Sequence, residues 1–199
     1  MLLATGLFAG AVVSVSGSKA ASPSQFERVI AAPQADVLAA TALSRKPVRK
    51  QMPIPVRIYV RAIGLNKGLI PLSLNRDRTV QVPKSFAQVG WFRPGPEPGE
   101  AGAAVILGHV DSKSGPGAFY RLRALRRGDI IKVIPKSGRR LRFAVIGSRA
   151  VPKKHFPTKL IYRKTGWPAL RLITCDGRFD SSTGHYVDNY VVFARLIAR

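Results

Sequence analysis

The sequence predicts a mainly β protein, built as a closed or nearly closed barrel of seven or eight short strands. Short apolar runs rich in β-branched residues recur from residue 52 onward, and glycine- and proline-rich turns separate them. Helix is expected only as one or two short pieces, with one turn near residues 118–125. This part of the chain, about 145 residues long, can bury a core without disulfide bonds or metals.

Apolar periodicity places the individual strands. Residues 54–60 (IPVRIYV) alternate, so that Val56, Ile58 and Val60 share one face, and residues 79–82 alternate in the same way. Further strands are predicted from the apolar runs at residues 105–110, 130–134, 141–146, 170–174 and 190–196.

The N-terminal part differs in composition from the rest of the chain. Residues 2–15 are apolar or small and carry no charge, which is about the length of a signal-peptide core and shorter than the roughly 20 residues that span a bilayer. We therefore expect an export signal or membrane anchor in residues 1–20, a linker in 21–51 and a folded domain in 52–199. A buried core helix is the alternative for the first segment.

A net charge of +23 on 199 residues is the most unusual property of the composition. It is compatible with three classes of partner: nucleic acid, an anionic membrane or wall surface, or an acidic substrate. Of the 33 Lys and Arg residues, 27 follow residue 50, so the charge belongs to the predicted domain and not to a basic tail. A solvated basic exterior without a specific partner is also compatible with this distribution.

Two residues at predicted strand ends have complementary chemistry. Cys175 is the only cysteine, which excludes an internal disulfide, and it follows the strand at 170–174. His109 follows an apolar run at 103–107. A thiolate is a strong nucleophile and an imidazole can activate it, although a buried structural cysteine and histidine remain the alternative. The three histidines lie far apart and the ten acidic residues form no D-x-D cluster, so we predict neither a metal nor a cofactor.

The order of several motifs resembles the sortase family. The match extends over residues 54–198, and sortases form an eight-stranded β-barrel, in agreement with the strand pattern. The family motifs are at residues 106–112 (ILGHVDS), 115–122 (GPGAFYRL), 127–129 (RGD) and 172–175 (LITC). Residues 55–60, 184–189 and 191–194 resemble the actinobacterial class F branch.

This resemblance implies a cysteine transpeptidase on the outer face of the cytoplasmic membrane, or secreted and associated with the wall. By analogy, Cys175 would attack the Thr–Gly bond of an LPxTG-like sorting signal and form a thioester, which a cell-wall amine would resolve. His109 would act as general acid and then as base. The implied partners are secreted proteins that bear sorting signals, the cell-wall precursor amine, and an anionic membrane or wall surface, without nucleic acid and without a cofactor.

The sequence departs from the family at the arginine of the last strand. Val187 or Asn189 stands where that arginine is expected, and strand alternation would place both on one face. Arg178, three residues after the cysteine, could replace it, or Asn189 could donate an uncharged hydrogen bond. Thr174, directly before Cys175, and Asp111, two residues after His109, are further candidates for substrate binding.

Two other interpretations remain open from the sequence. A nucleic-acid-binding β-barrel would have this charge, but it would also need exposed aromatic residues among its Lys and Arg, and aromatic residues are only 8% of the chain. A catalytically impaired, sortase-derived protein that binds wall or membrane would explain the missing arginine.

Overall fold

Eight strands close into a barrel, in agreement with the predicted fold class. The computed structural model describes residues 54–162 and 165–198, so the predictions for residues 1–20 and 21–51 lie outside the described residues. The barrel strands are β1 (Pro55–Val60), β2 (Leu65–Leu72), β3 (Val89–Phe92), β4 (Gly102–Gly108), β7 (Ile130–Pro135), β8 (Leu141–Pro152), β9 (Pro168–Asp180) and β10 (His185–Ala198). A separate two-stranded sheet contains β5 (Asp111–Ser112) and β6 (Gly115–Pro116).

The strand order around the barrel brings distant parts of the chain together. It runs β1-β2-β3-β4-β9-β10-β8-β7, and β7 pairs with β1 to close the sheet. Most pairs are antiparallel, while β2 with β3 and β4 with β9 are parallel. The parallel pairing of β4 with β9 ends at Leu107 and Ile173, so both strands run toward the same end of the barrel. The segments that follow these two residues carry His109 and Cys175.

The barrel is filled by inward-facing residues from all eight of its strands. In β7, burial alternates residue by residue, as period-2 patterning requires. The segment between β6 and β7 adds Phe119, Leu122 and Leu125 to the same core, and all three are almost fully buried. The helical turn predicted near residues 118–125 is confirmed as a 3-10 helix at Leu122–Ala124.

Helix is otherwise confined to short pieces. One α-helix, α1 (Thr158–Ile161), and 3-10 turns at Arg61–Ile63 and Lys153–His155 complete the helical structure of the described residues. None of the helices among residues 54–162 and 165–198 has the length and hydropathy needed to cross a bilayer.

The strand predicted at residues 79–82 is wrong. Val80 forms only an isolated bridge with Leu74. The Asp77 carboxylate accepts hydrogen bonds from the backbone N–H of Thr79 (3.0 Å) and from its hydroxyl (2.6 Å). These contacts fold the chain into a turn stabilised by a side chain, which competes with a strand ladder.

The end predicted for the strand that precedes Cys175 is also wrong. We expected a strand over 170–174 with the cysteine beyond its end, whereas β9 continues to Asp180. Pairing with the long strand β10 explains the extension, since Cys175 lies opposite Asn189 and Phe179 opposite Tyr186. The nucleophile candidate is therefore held within a strand.

Candidate active site

A cleft of about 520 Å³ opens where β4 and β9 cease to pair. The segment between β2 and β3 covers one side of it, and the start of β10 forms another. Its lining includes the predicted residues His109, Asp111, Thr174, Cys175 and Asn189. The other lining residues are Val82, Pro83, Phe86, Leu107, Gly108, Val110, Ser112, Lys113, Lys153, Ile173, Phe179, Gly184, His185 and Tyr186.

Cys175 combines partial exposure with a cationic neighbour. Its side chain is half-buried and forms no disulfide. The Lys153 ammonium donates a hydrogen bond to the Cys175 Sγ over 3.6 Å. A partly exposed thiol beside a cation is the environment in which reactive cysteines occur, whereas structural cysteines are buried among apolar groups.

The imidazole ring of His109 contacts the segment between β2 and β3. Its Nε2 lies 2.7 Å from the carbonyl oxygen of Pro83, and its ring centroid lies 4.6 Å from that of Phe86. A carbonyl oxygen only accepts, so Nε2 carries the proton in this contact. Nδ1 is then the ring nitrogen that remains free to exchange a proton with a bound substrate.

The backbone around His109 is fixed by close packing with the β6 segment. The carbonyl oxygen of His109 accepts a hydrogen bond of 2.8 Å from the N–H of Phe119, and Gly117 donates one of 2.9 Å to Val110. A Cβ at position 117 would lie 2.5 Å from the His109 carbonyl oxygen, so only glycine fits there. Gly117, the second glycine of the GPGAFYRL motif, thus allows this segment to pack against the backbone of His109.

Asp111 and Tyr186 join the loop after β4 to strand β10. The Tyr186 hydroxyl donates a hydrogen bond of 2.5 Å to Asp111 Oδ2. This bond to a carboxylate favours the protonated phenol and raises the pKa of Tyr186 to about 12. Asp111 therefore has an internal partner across the cleft.

A second charged contact fixes the strand that carries the nucleophile. The buried Asp176 carboxylate accepts two hydrogen bonds from Arg123, of 2.7 Å from Nε and 2.5 Å from an η nitrogen. The Arg123 guanidinium also lies 4.9 Å from the centre of the Tyr190 ring. The hydrogen bonds to Asp176 raise the pKa of Arg123. Two parallel bonds restrict the geometry more than one would, so this pair orients the strand next to Cys175.

A family comparison bears on the class of protein to which this barrel belongs. The Sortase domain model matches residues 58–197, which is most of the described barrel. The chain belongs to the sortase family. This membership supports a sortase transpeptidase and does not favour the nucleic-acid-binding alternative.

Solved sortases of several classes share the fold. Sortase A from Corynebacterium diphtheriae, as a lid mutant, is similar with a TM-score of 0.58 and 19% identity, over 77% of this chain and 75% of that one. Sortase C-1 from Actinomyces oris gives 0.58 and 19%, over 72% of each chain. A Clostridium perfringens sortase D5 gives 0.54 and 21%, over 73% and 79%. No curated protein sequence matches the chain.

The sortase cleft contains five of the six residues that the sequence singled out. Arg178 is the exception, since it is exposed on β9 and is not among the residues that line the cleft. Asn189 lines the cleft and lies opposite Cys175 on β10. The buried Thr174 hydroxyl has no hydrogen-bond partner among the described residues.

Val187 lies opposite an irregularity in the pairing of β9 with β10. The pairing shifts register between Tyr186 and Asp188. Gly177 and Arg178 of β9 oppose the single residue Val187 of β10, so the extra residue of this bulge belongs to β9. Val187 is not among the residues that line the cleft.

Sequence reasoning missed three cleft residues that contact the reactive pair. Lys153 lies in the basic segment KKH at 153–155, and Pro83 and Phe86 lie in a segment without a motif. Each contact joins residues at least 22 positions apart in the sequence. The order of the strands in the sheet brings these residues together, and local sequence patterns do not reveal such contacts.

The acidic, histidine and cysteine side chains do not form a metal site in the part of the chain that is described. No group of three or more of them lies close enough to hold an ion there. His155, on the turn after β8, is exposed and does not line the cleft, whereas His185 at the start of β10 lines its rim.

Proposed function

We propose that this sortase cleaves an LPxTG-like sorting signal between Thr and Gly and transfers the new carboxyl end to a cell-wall amine. The observation that carries the proposal is that one cleft holds Cys175, His109 and Asn189 in a chain of the sortase family. The motifs at residues 55–60 and 184–189 further suggest the class F branch. The expected site of action is the outer face of the cytoplasmic membrane.

The first half of the reaction forms a thioester. Cys175 Sγ attacks the threonine carbonyl carbon, and the carbonyl π electrons move to the oxygen, which becomes negatively charged. When the intermediate collapses, the C–N bond breaks, and the departing glycine nitrogen takes a proton from His109. In the His109 imidazolium the Nδ1 proton is the one to transfer, since Nε2–H is bound to Pro83.

The second half reverses these roles. The acceptor amine attacks the thioester carbonyl while His109 takes its proton, a new C–N bond forms, and the C–S bond breaks to regenerate the Cys175 thiolate. The lining is mostly apolar, with Val82, Ile173 and Phe179 among its residues, and this suits an apolar side chain of the sorting signal. The unpartnered Thr174 hydroxyl supports a hydrogen bond to the bound peptide.

Incubation of the full chain with a panel of LPxTG-type peptides should produce an acyl adduct on Cys175. Intact mass and peptide mapping would locate the adduct, and hydroxylamine should release it because thioesters react rapidly with this nucleophile. Adding a short amine, such as a glycine or diamino acid peptide, should yield the transfer product. The proposal fails if the folded protein forms no adduct with any peptide while its thiol still reacts with iodoacetamide.

We also propose that the enzyme binds an anionic membrane surface through half of its barrel. Strands β2, β1, β7 and β8 are consecutive in the sheet, and residues 54–72 and 130–152, which include them, contain nine Lys and Arg and no acidic residue. We call this half the basic wall. A surface cleft of about 390 Å³ within it is lined by Arg57, Tyr59, Asn66, Lys132, Ile134 and Arg140.

Vesicle binding tests this second proposal. Each Lys or Arg near an anionic bilayer contributes about 1 kcal/mol, so the double variant R57Q/R140Q should lower affinity for phosphatidylglycerol vesicles by roughly tenfold or more. The matched control R121Q/R127Q removes two exposed charges outside the basic wall and should bind more tightly than that variant. Equal affinities of the two variants, or equal binding to neutral vesicles, would contradict the assignment. Preferential binding to wall polyanions would contradict it as well.

A further inference from the structure

Lys153 is the one cation that contacts the reactive sulfur among the described residues. Its ammonium donates to Cys175 Sγ over 3.6 Å, and no other hydrogen-bond partner for it is found in residues 54–162 and 165–198. The side chain is half-buried, whereas its neighbour Lys154 is exposed. Holding a flexible lysine in one geometry costs side-chain entropy, and the hydrogen bond to the sulfur offsets that entropy cost.

The position of Lys153 follows from the strand register. In β8, Val151 lies opposite Asn189 of β10, and Asn189 lies opposite Cys175 of β9. Strand β8 ends at Pro152 and turns into the 3-10 helix that starts with Lys153. The lysine side chain therefore reaches across β10 to the sulfur from the position directly after the last ladder pair, Pro152 with Asp188.

Arginine and lysine side chains other than Lys153 do not contact the Cys175 sulfur in the described part of the chain. Arg123 is engaged with Asp176, next to the nucleophile. Arg178 is exposed and is not among the residues that line the cleft. Lys113 lines the cleft, but no contact joins it to Cys175 in the described part of the chain.

We propose that Lys153 is a catalytic residue that donates a hydrogen bond to the oxyanion of the tetrahedral intermediate. This inference rests on the proposed function and assigns the group that stabilises the developing charge. The oxyanion is the oxygen bonded to the carbonyl carbon that Cys175 Sγ attacks, so a donor already at the sulfur needs little movement to reach it. An ammonium provides a full charge in a partly dehydrated cleft, where such a donor lowers the barrier most.

Two small reagents separate this role from an effect on the thiol alone. p-Nitrophenyl acetate acylates a cysteine through a tetrahedral oxyanion, while iodoacetamide alkylates it without one. In K153M, acylation of Cys175 should slow by about 10²-fold or more, the cost of losing one oxyanion donor. Alkylation should slow far less. K153R should recover part of the acylation rate, because it retains a cationic donor with a different shape.

The neighbouring Lys154 provides the matched control, again measured in the full chain. K154M removes an exposed lysine next to Lys153 and should acylate at the wild-type rate. Acylation by K153M at the wild-type rate, or equal loss in both reactions, would overturn the proposal. A loss in R178A or N189A with none in K153M would assign the role elsewhere. Neither reagent requires a sorting signal, so a failure of the proposed peptide substrate would not be mistaken for a failure of Lys153.

Discussion

Replacing Cys175 with alanine should abolish both the acyl adduct and turnover with any sorting-signal peptide. The protein has one cysteine, and no other thiol can form the thioester. The effect is expected to exceed that of any other single substitution, because covalent catalysis is removed entirely. Quantifying the transfer product by mass spectrometry over a long incubation measures the residual rate.

Cys175→Ser provides the matched control for this variant. It retains a polar atom at nearly the same place in β9, and it should fold and bind peptide but turn over very slowly, since an alcohol is a much poorer nucleophile than a thiolate. Thermal unfolding and peptide affinity should remain close to wild type in the serine variant. Substantial turnover by the alanine variant would disprove the thioester mechanism.

Removing the imidazole should have the second largest effect. His109→Ala eliminates the proton donor for the departing nitrogen and the base for the incoming amine, so kcat should fall by about 10²–10⁴-fold. KM should change much less, since the imidazole acts on the proton transfers and the apolar lining contributes most of the binding surface. Steady-state transpeptidation at several peptide concentrations separates the two parameters.

His155→Ala is the histidine control for that experiment. His155 is exposed at the end of the turn that begins with Lys153 and does not line the cleft. Its loss should leave kcat within about twofold of wild type, as expected for a surface substitution away from the site. Retention of most of the wild-type rate by His109→Ala would remove the histidine from the mechanism.

The parts of the fold that could be predicted from sequence are those whose burial follows a local pattern. The apolar runs at residues 54–60 and 130–134 both form barrel strands close to the predicted bounds. The prediction that Val56 shares a face with Ile58 and Val60 is wrong, because the pairing of β1 with β7 shifts register between Pro55 and Arg57 and leaves Val56 exposed. Strand β2 was missed because Gly68 and Pro71 interrupt its pattern. Strand β3 was missed because all four of its residues are buried, which leaves no alternation to detect. In both cases tertiary pairing outweighs local propensity.

Only some residues of the candidate site could be predicted from the sequence. His109 and Cys175 follow apolar runs and belong to recognisable motifs, so sequence alone singles them out. Lys153 cannot be found in this manner, because its contact with the sulfur depends on β10 lying between β8 and β9. The register shift opposite Val187 comes from an extra residue in β9 at Gly177 and Arg178, and the apolar pattern that predicted this strand ends before it, at residue 174.

The closed sheet keeps two properties of the molecule physically separate. Positive charge without any acid occupies β2, β1, β7 and β8, while the cleft is built mainly from the ends of β4, β9 and β10. The charge of the basic wall could therefore be redesigned without a change to the catalytic cleft. Substitutions confined to the basic wall would lower attraction to polyanions and would not replace any residue that lines the cleft.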